Sequence, residues 1–137
     1  MGQEEKSSFF NLYRHGFIRV AVCTPTVRVA DAAFNAGETI RLAREAAGNK
    51  AVFALFPELG LSAYSNDDLF QQEALLQGVT QALERIARET ESLNMIIAVG
   101  APLRVDSRLF NCGVVLRRGR IAGIAVKSYL PNYREFY

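Results

Sequence analysis

Two apolar runs in this chain end in the same way, and they constrain its fold more than any other feature. Ala51-Val52-Phe53-Ala54-Leu55-Phe56 stops at Pro57, and the next residue is Glu58. Ile121 to Val126 stops at Lys127, which is followed by Ser128-Tyr129-Leu130-Pro131. Both runs read as buried strands, and the near-continuous apolar character of Ala51 to Phe56 suits a sheet covered on both faces. Each run thus delivers one ionisable side chain to the carboxyl end of a strand, the edge where open α/β sheets build their sites.

The remaining pattern places these strands in an α/β fold. Phe17 to Cys23 reads as a first strand ended by Thr24-Pro25. Asp31 is positioned to cap a helix running to about Gly48, with Ile40, Ala43 and Ala47 at helical spacing and Gly48-Asn49 as its stop. After a turn-rich loop around Ser62 and Ser65-Asn66-Asp67-Asp68 comes a short helical piece through Leu76. Val79, Leu83, Ile86, Ala87 and Thr90 then mark the inner stripe of a second long helix. Asn94 to Gly100 is a third strand, and Leu109 to Leu116 with Arg120 to Val126 form a hairpin across Arg118-Gly119.

The predicted order is β-α-β-α-β-β-β. Residues 1–15 read as an arm, with Phe9, Phe10, Leu12 and Tyr13 available to grip a neighbouring surface, and residues 16–137 as one piece of a single domain. Two long helices do not cover five strands, so the sheet calls for a second layer or a partner. With the aromatic tail Tyr129 to Tyr137, this leads to the expectation of a domain truncated at its C-terminus.

Composition narrows the function classes. Sixteen basic against 14 acidic side chains give a net charge of +2, and no basic stripe with interleaved aromatics suggests nucleic acid. The dense cluster Arg117-Arg118-Gly119-Arg120 fits a solvated turn. No apolar run approaches the ~18 residues of a membrane helix, and the polar start Met1 to Lys6 lacks a signal-peptide core. Cys23 and Cys112 both lie in apolar runs, as buried free thiols do, which fits a reducing, cytoplasmic location. No spacing of His, Cys and carboxylates suggests a metal site.

Glu58 and Lys127 are the candidates for chemistry, each with an ordinary alternative. A carboxylate at a strand tip serves as a base if burial raises its pKa toward the working range, while a nearby ammonium lowers it. It can equally end a strand and solvate a loop. A fixed ammonium in a water-poor pocket steadies a developing oxyanion, or Lys127 is a surface lysine. Tyr64 and Tyr133, a few residues beyond each, either line the same pocket or pack their loops. His15, the only histidine, precedes every strand and is poorly placed for a triad.

Phe56-Pro57-Glu58-Leu59, Asn111, Arg118-Gly119-Arg120 and Lys127-Ser128-Tyr129-Leu130-Pro131 together resemble the nitrilase (carbon–nitrogen hydrolase) superfamily. The stretches His15-Gly16-Phe17 through Val20-Ala21-Val22-Cys23-Thr24, Leu61 to Ser65, and Lys127 to Tyr137 resemble one branch of it: the glutaminase domains of bacterial glutamine-dependent NAD synthetases. The resemblance runs from about Asn11 to the end. It implies an α-β-β-α sandwich and a Glu–Lys–Cys triad, with Glu58 as general base, Lys127 as the amine at the tetrahedral intermediate, and Tyr64 and Tyr133 near a glutamine pocket.

The family nucleophile falls well after Lys127 and matches neither cysteine here, so the 137-residue chain is expected to be inactive by itself. In such enzymes the ammonia passes to a separate synthetase domain, which uses ATP with magnesium to amidate deamido-NAD. The 137 residues themselves imply no cofactor, and the full-length family members imply a homo-oligomer. Another amidase of the same superfamily, or a non-catalytic interaction domain, are the competing expectations.

Overall fold

The computed structural model describes residues 9–129. The first eight residues of the arm, and the tail from Leu130 that contains Tyr133, lie outside the described residues. The strands are β1 (Val20–Val22), β2 (Phe53–Leu55), β3 (Ile96–Val105), β4 (Arg108–Arg117) and β5 (Arg120–Val126), and the helices are α1 (Ala32–Gly48) and α2 (Glu73–Glu89). One sheet holds the strands in the order β1-β2-β3-β4-β5. β1, β2 and β3 run parallel, and β4 and β5 add antiparallel. The element order is the one predicted.

Local chemistry sets the helix ends. Asp31 caps α1 as expected, its carboxylate accepting the Phe34 N–H at 3.0 Å. Just inside the helix, Asn35 is fully buried. Its amide donates to the carbonyls of Arg28 (2.8 Å) and Leu61 (3.1 Å) and accepts the Arg28 N–H at 2.8 Å. One side chain therefore ties the segment before α1 to the loop that follows Glu58. At the other end the helix stops where Gly48-Asn49 predicts: Gly48 is the last helical residue and Asn49 the cap, with the left-handed position taken by Lys50 (φ 61°). Ahead of α2, a 3-10 turn spans Asp67–Gln71, so Leu75 and Leu76 belong to the long helix and not to a separate piece.

β3 and β4 run longer than predicted. Their ladder extends from Ile97↔Leu116 to Val105↔Arg108, closed by a two-residue turn in which Asp106 and Ser107 both have positive φ. Pro102 hid this extension, since proline rarely sits inside a sheet. Here β2 stops opposite Ala98, so Pro102 lies where β3 has a hydrogen-bonded neighbour on one side only. The Arg118-Gly119 turn joins β4 and β5 with positive φ at both residues.

Both helices pack on one face. Ile40 and Ala43 of α1 and Val79, Leu83 and Ile86 of α2 meet Ile97, Val99, Cys112, Val114 and Leu116 of the sheet. Strand alternation places Ala98, Gly100, Asn111 and Gly113 on the opposite face. Among the described residues no layer covers that face at β1 and β2, where Val22 is 80% exposed, Val20 56% and Leu55 45%. The both-face coverage read from the apolar run of β2 and the buried character read for Ile121 to Val126 do not hold within these residues, where β5 is exposed along its length. The open face expected from two helices against five strands is present. The apolar run through β2 buries Ala54 and Phe56 against the helices and leaves Leu55 exposed on the other side.

Candidate active site

Glu58 sits in a turn that folds back from the end of β2 across β3. Gly60 N–H donates to Pro57 O at 3.2 Å, Ser62 N–H to Leu59 O at 3.1 Å, and Leu61 N–H to Gly100 O at 3.2 Å. Leu59 and Ala63 both adopt left-handed backbone (φ 52° and 66°), a conformation that costs such residues of order ~1 kcal/mol and persists only where the surroundings impose it. Gly100 is what admits the turn. A Cβ there would stand 2.5 Å from Pro57 O and 2.7 Å from the Cα of Glu58, closer than real Cβ atoms approach anything. The missing side chain lets the Pro57–Leu59 backbone lie directly on the sheet.

Lys127 reaches the same place from the far edge. Its N–H donates to Asn111 O at 2.9 Å, extending the β4–β5 ladder one residue past the Cys112↔Val126 pair. Lys127 and Asn111 are thus cross-strand neighbours on the face away from the helices. Both converge on one oxygen: Lys127 Nζ lies 2.6 Å from Glu58 Oε1, and Asn111 Nδ2 donates to that same Oε1 at 2.6 Å. The three side chains share a depression of about 300 Å³ with Leu55, Ala98, Gly113 and Ala125.

The electrostatics follow from these contacts. The Lys127 ammonium, and after it the Asn111 amide, hold the Glu58 carboxyl below the usual carboxylate range against an opposing push from partial burial. Of the two influences weighed from the sequence, the ammonium prevails over burial, and Glu58 is ionised at neutral pH. The carboxylate in turn holds the Lys127 ammonium above lysine's ordinary value. A base of depressed pKa is a weak acceptor in isolation. The same ammonium, however, stabilises any anion formed beside it, so the pair is matched to a reaction that generates negative charge in this depression.

The other candidates fall in different places. Tyr64 is close enough to Lys127 to interact with it electrostatically, yet it is not among the residues lining the depression. Tyr133 lies outside the described residues. His15, in a 3-10 turn over Leu12–His15, has Nε2 2.8 Å from Phe9 O. Cys23 and Cys112 are both buried in the helix-side core, where burial pushes both thiols up. Cys112 follows Asn111 directly, so its side chain projects to the opposite face of β4.

Two contributors are only faintly marked in the sequence. Asn111 was noticed only as part of a family pattern, and Gly100 only as the end of a strand. A lone amide in an otherwise apolar strand, with parity opposite to a buried cysteine, was the available signal for Asn111. Nothing local marks Gly100, because its partner is a turn some 40 residues earlier.

The sequence pattern of the family described as Carbon-nitrogen hydrolase matches residues 19–137. The chain is 45% identical over 130 residues to the glutamine-dependent NAD(+) synthetase of Mycobacterium tuberculosis (strain ATCC 25618 / H37Rv), covering 95% of this chain and 19% of that protein. To the glutamine-dependent NAD(+) synthetase of Aquifex aeolicus it is 38% identical over 87 residues, or 64% of this chain and 15% of the relative. The chain therefore spans about a fifth of the length of these curated relatives.

Among solved structures, a glutamine-dependent NAD(+) synthetase from Cytophaga hutchinsonii matches with a TM-score of 0.78 at 22% identity, over 84% of this chain and 20% of that one. An amidase from Nesterenkonia sp. matches with a TM-score of 0.72 at 20% identity, over 87% of this chain and 45% of that one. At such identities the likeness is one of fold, and both contain the arrangement of strands and helices described above.

Proposed function

The chain belongs to the carbon–nitrogen hydrolase family, and from that premise we propose that residues 16–137 form the N-terminal part of a glutamine-hydrolysing domain in which Glu58 is the general base and Lys127 stabilises the oxyanion. The observation that carries this is the 2.6 Å contact between Glu58 Oε1 and Lys127 Nζ, made by residues 69 positions apart. It joins the ends of two different strands on the sheet face that the helices leave open. Glutamine as the nitrogen donor rests on relatives that are glutamine-dependent NAD(+) synthetases.

In this mechanism Glu58 takes the proton of a cysteine thiol, giving a carboxylic acid and a thiolate beside the Lys127 ammonium. The thiolate attacks the side-chain amide carbon of glutamine, forming a C–S bond and an alkoxide that the ammonium stabilises. As the alkoxide collapses, the C–N bond breaks and Glu58 returns its proton to the departing nitrogen, releasing ammonia. Water then attacks the thioester with its proton going to Glu58, the C–S bond breaks to release glutamate, and Glu58 reprotonates the thiolate. We assign the thiol to neither Cys23 nor Cys112, because both are buried against the helices.

Tyr64 and Tyr133 are proposed to border the glutamine. The ammonia is proposed to reach a separate synthetase domain that uses ATP with magnesium to amidate deamido-NAD, and no step above runs through those groups. A homo-oligomer in the cytoplasm is the proposed setting. No helix among the described residues is long and apolar enough to cross a membrane.

The test is made on the full-length protein, with Glu58→Gln assayed against two nitrogen sources. Glutamine-dependent turnover is expected to fall by ~100-fold or more, the scale of a lost general base, while turnover with free ammonia is retained. Equal losses with both sources would remove the assignment.

A further inference from the structure

Asn111 donates to the same carboxylate oxygen as Lys127, and that coincidence separates the two oxygens of Glu58. Among the described residues Oε1 accepts two hydrogen bonds, from Asn111 and Lys127 at 2.6 Å each. Oε2 accepts none. We propose that Asn111 is the positioning residue of the base: its amide pins Oε1 beside the ammonium, so that Oε2 is the oxygen that takes and returns the proton.

The amide suits this task for three physical reasons. It is fixed on a central strand, with β3 on one side at Pro102 and the Lys127 N–H bound to its own carbonyl on the other. Lys127, by contrast, lies beyond the last residue of β5 on a flexible four-carbon stem, and a carboxylate held by an ammonium alone can exchange oxygens or swing with its partner. Two donors on one oxygen remove that freedom. The Asn111 side chain also carries no charge and takes up no proton near neutral pH, so it can donate to Oε1 both before and after proton transfer at Oε2, more strongly while Glu58 is ionised.

The orientation follows from chemistry as well as from coordinates. Turning the amide over would put its carbonyl oxygen against a carboxylate oxygen, a repulsive contact, so Nδ2 must face Glu58. The loop side contributes too. The turn that carries Glu58 lies on Gly100, and the Asn35 amide ties down the loop beyond it. The backbone of Glu58 is thereby set by the sheet, and its side-chain torsion by Asn111.

This inference rests on Glu58 being the base, and its test keeps the two claims apart. In the full-length protein, Asn111→Leu removes the donor at similar volume, and Asn111→Asp replaces it with a second carboxylate facing Glu58. The Leu variant is expected to lose kcat for glutamine by roughly 10- to 100-fold with KM changed by less than about threefold, the pattern of a misoriented catalytic group. The acid limb of its kcat/KM profile is expected to move to higher pH, and further still in the Asp variant. Among the described residues, the other charged or titratable groups facing Glu58 are Lys127 and, through it, Tyr64. Ammonia-dependent turnover is expected to stay at the wild-type level in both.

A purely structural amide would lower stability without moving the pH profile. If Glu58→Gln abolishes glutamine turnover while Asn111→Leu keeps the wild-type kcat and acid limb, the positioning role is wrong and the base assignment stands. If Glu58→Gln has no effect, the base assignment falls and this inference with it.

Discussion

Gly100→Ala is the perturbation whose size the structure sets most directly. The added methyl would stand 2.5 Å from Pro57 O, whereas ordinary contact begins near 3.4 Å. The methyl would meet the Leu59 N even more closely, so the Pro57–Leu59 turn must lift from the sheet by at least about 0.9 Å, and the neighbours are backbone atoms with no rotamer to yield. Overpacking that moves backbone costs up to about 3 kcal/mol, a fall of several degrees in Tm for a domain larger than these 137 residues.

The displacement falls on Glu58 itself, and a misplacement of ~1 Å in a catalytic group costs on the order of 100-fold in rate. Gly113→Ala is the internal comparison. Gly113 pairs with Gly100 in the β3–β4 ladder, yet a Cβ there meets nothing within 4 Å. It is expected to melt at or slightly above the wild-type temperature, because it only restricts the unfolded chain; since Gly113 lines the depression, the comparison is of melts and not of turnover. Thermal melts and glutamine-dependent kcat/KM of the full-length variants read both effects. A Gly100→Ala protein that melts with the wild type and turns over glutamine normally would refute the claim that the bare backbone of Gly100 seats the base.

Other outcomes follow from the same geometry. Cys23→Ala and Cys112→Ala are expected to retain glutamine turnover, and mass spectrometry of the protein quenched with glutamine is expected to find no glutamyl thioester on either residue; an adduct on one of them would overturn the assignment of the nucleophile. The stability that Glu58 contributes is expected to be complete above its unfolded pKa of about 4.3 and to vanish as pH falls through its lower folded value. The Lys127 contribution is present below lysine's ordinary value and lost as pH rises past its higher folded one. Denaturant melts of wild type and Glu58→Gln between pH 3 and 7 check the acid side, and a constant difference across that range would contradict the ion pair. The isolated chain is expected to bind a hydrophobic dye at the face carrying Val20, Val22 and Leu55; the absence of binding would show that face to be covered.

The sequence made some parts of the fold plain and hid others for identifiable reasons. Asp31 and the spacing of Ile40, Ala43, Val79, Leu83 and Ile86 announced the helices, because capping and helical periodicity are local properties. Arg118-Gly119 announced a hairpin for the same reason. The extension of β3 past Gly100 was obscured by Pro102, whose acceptability depends on where β2 stops. An open face of the sheet was legible from two long helices set against five strands, whereas the apolar run of β2 does not say which of its faces a helix will take. At the site, Glu58 and Lys127 were legible as strand endings, whereas their 2.6 Å contact is a property of strand order. The shared oxygen and the role of Asn111 come from register. The position of Tyr133 lies outside the described residues.

The claim on which the rest depends is that Glu58 and Lys127 act on glutamine as one unit. A double-mutant cycle tests it most directly: glutamine-dependent kcat/KM of the full-length protein, measured for Glu58→Gln, Lys127→Met and the pair. Groups that serve a single proton-transfer and oxyanion site lose little more together than singly, so the double variant is expected to fall within about tenfold of the worse single one. Losses that multiply independently, or that appear equally with ammonia as the nitrogen source, would contradict it.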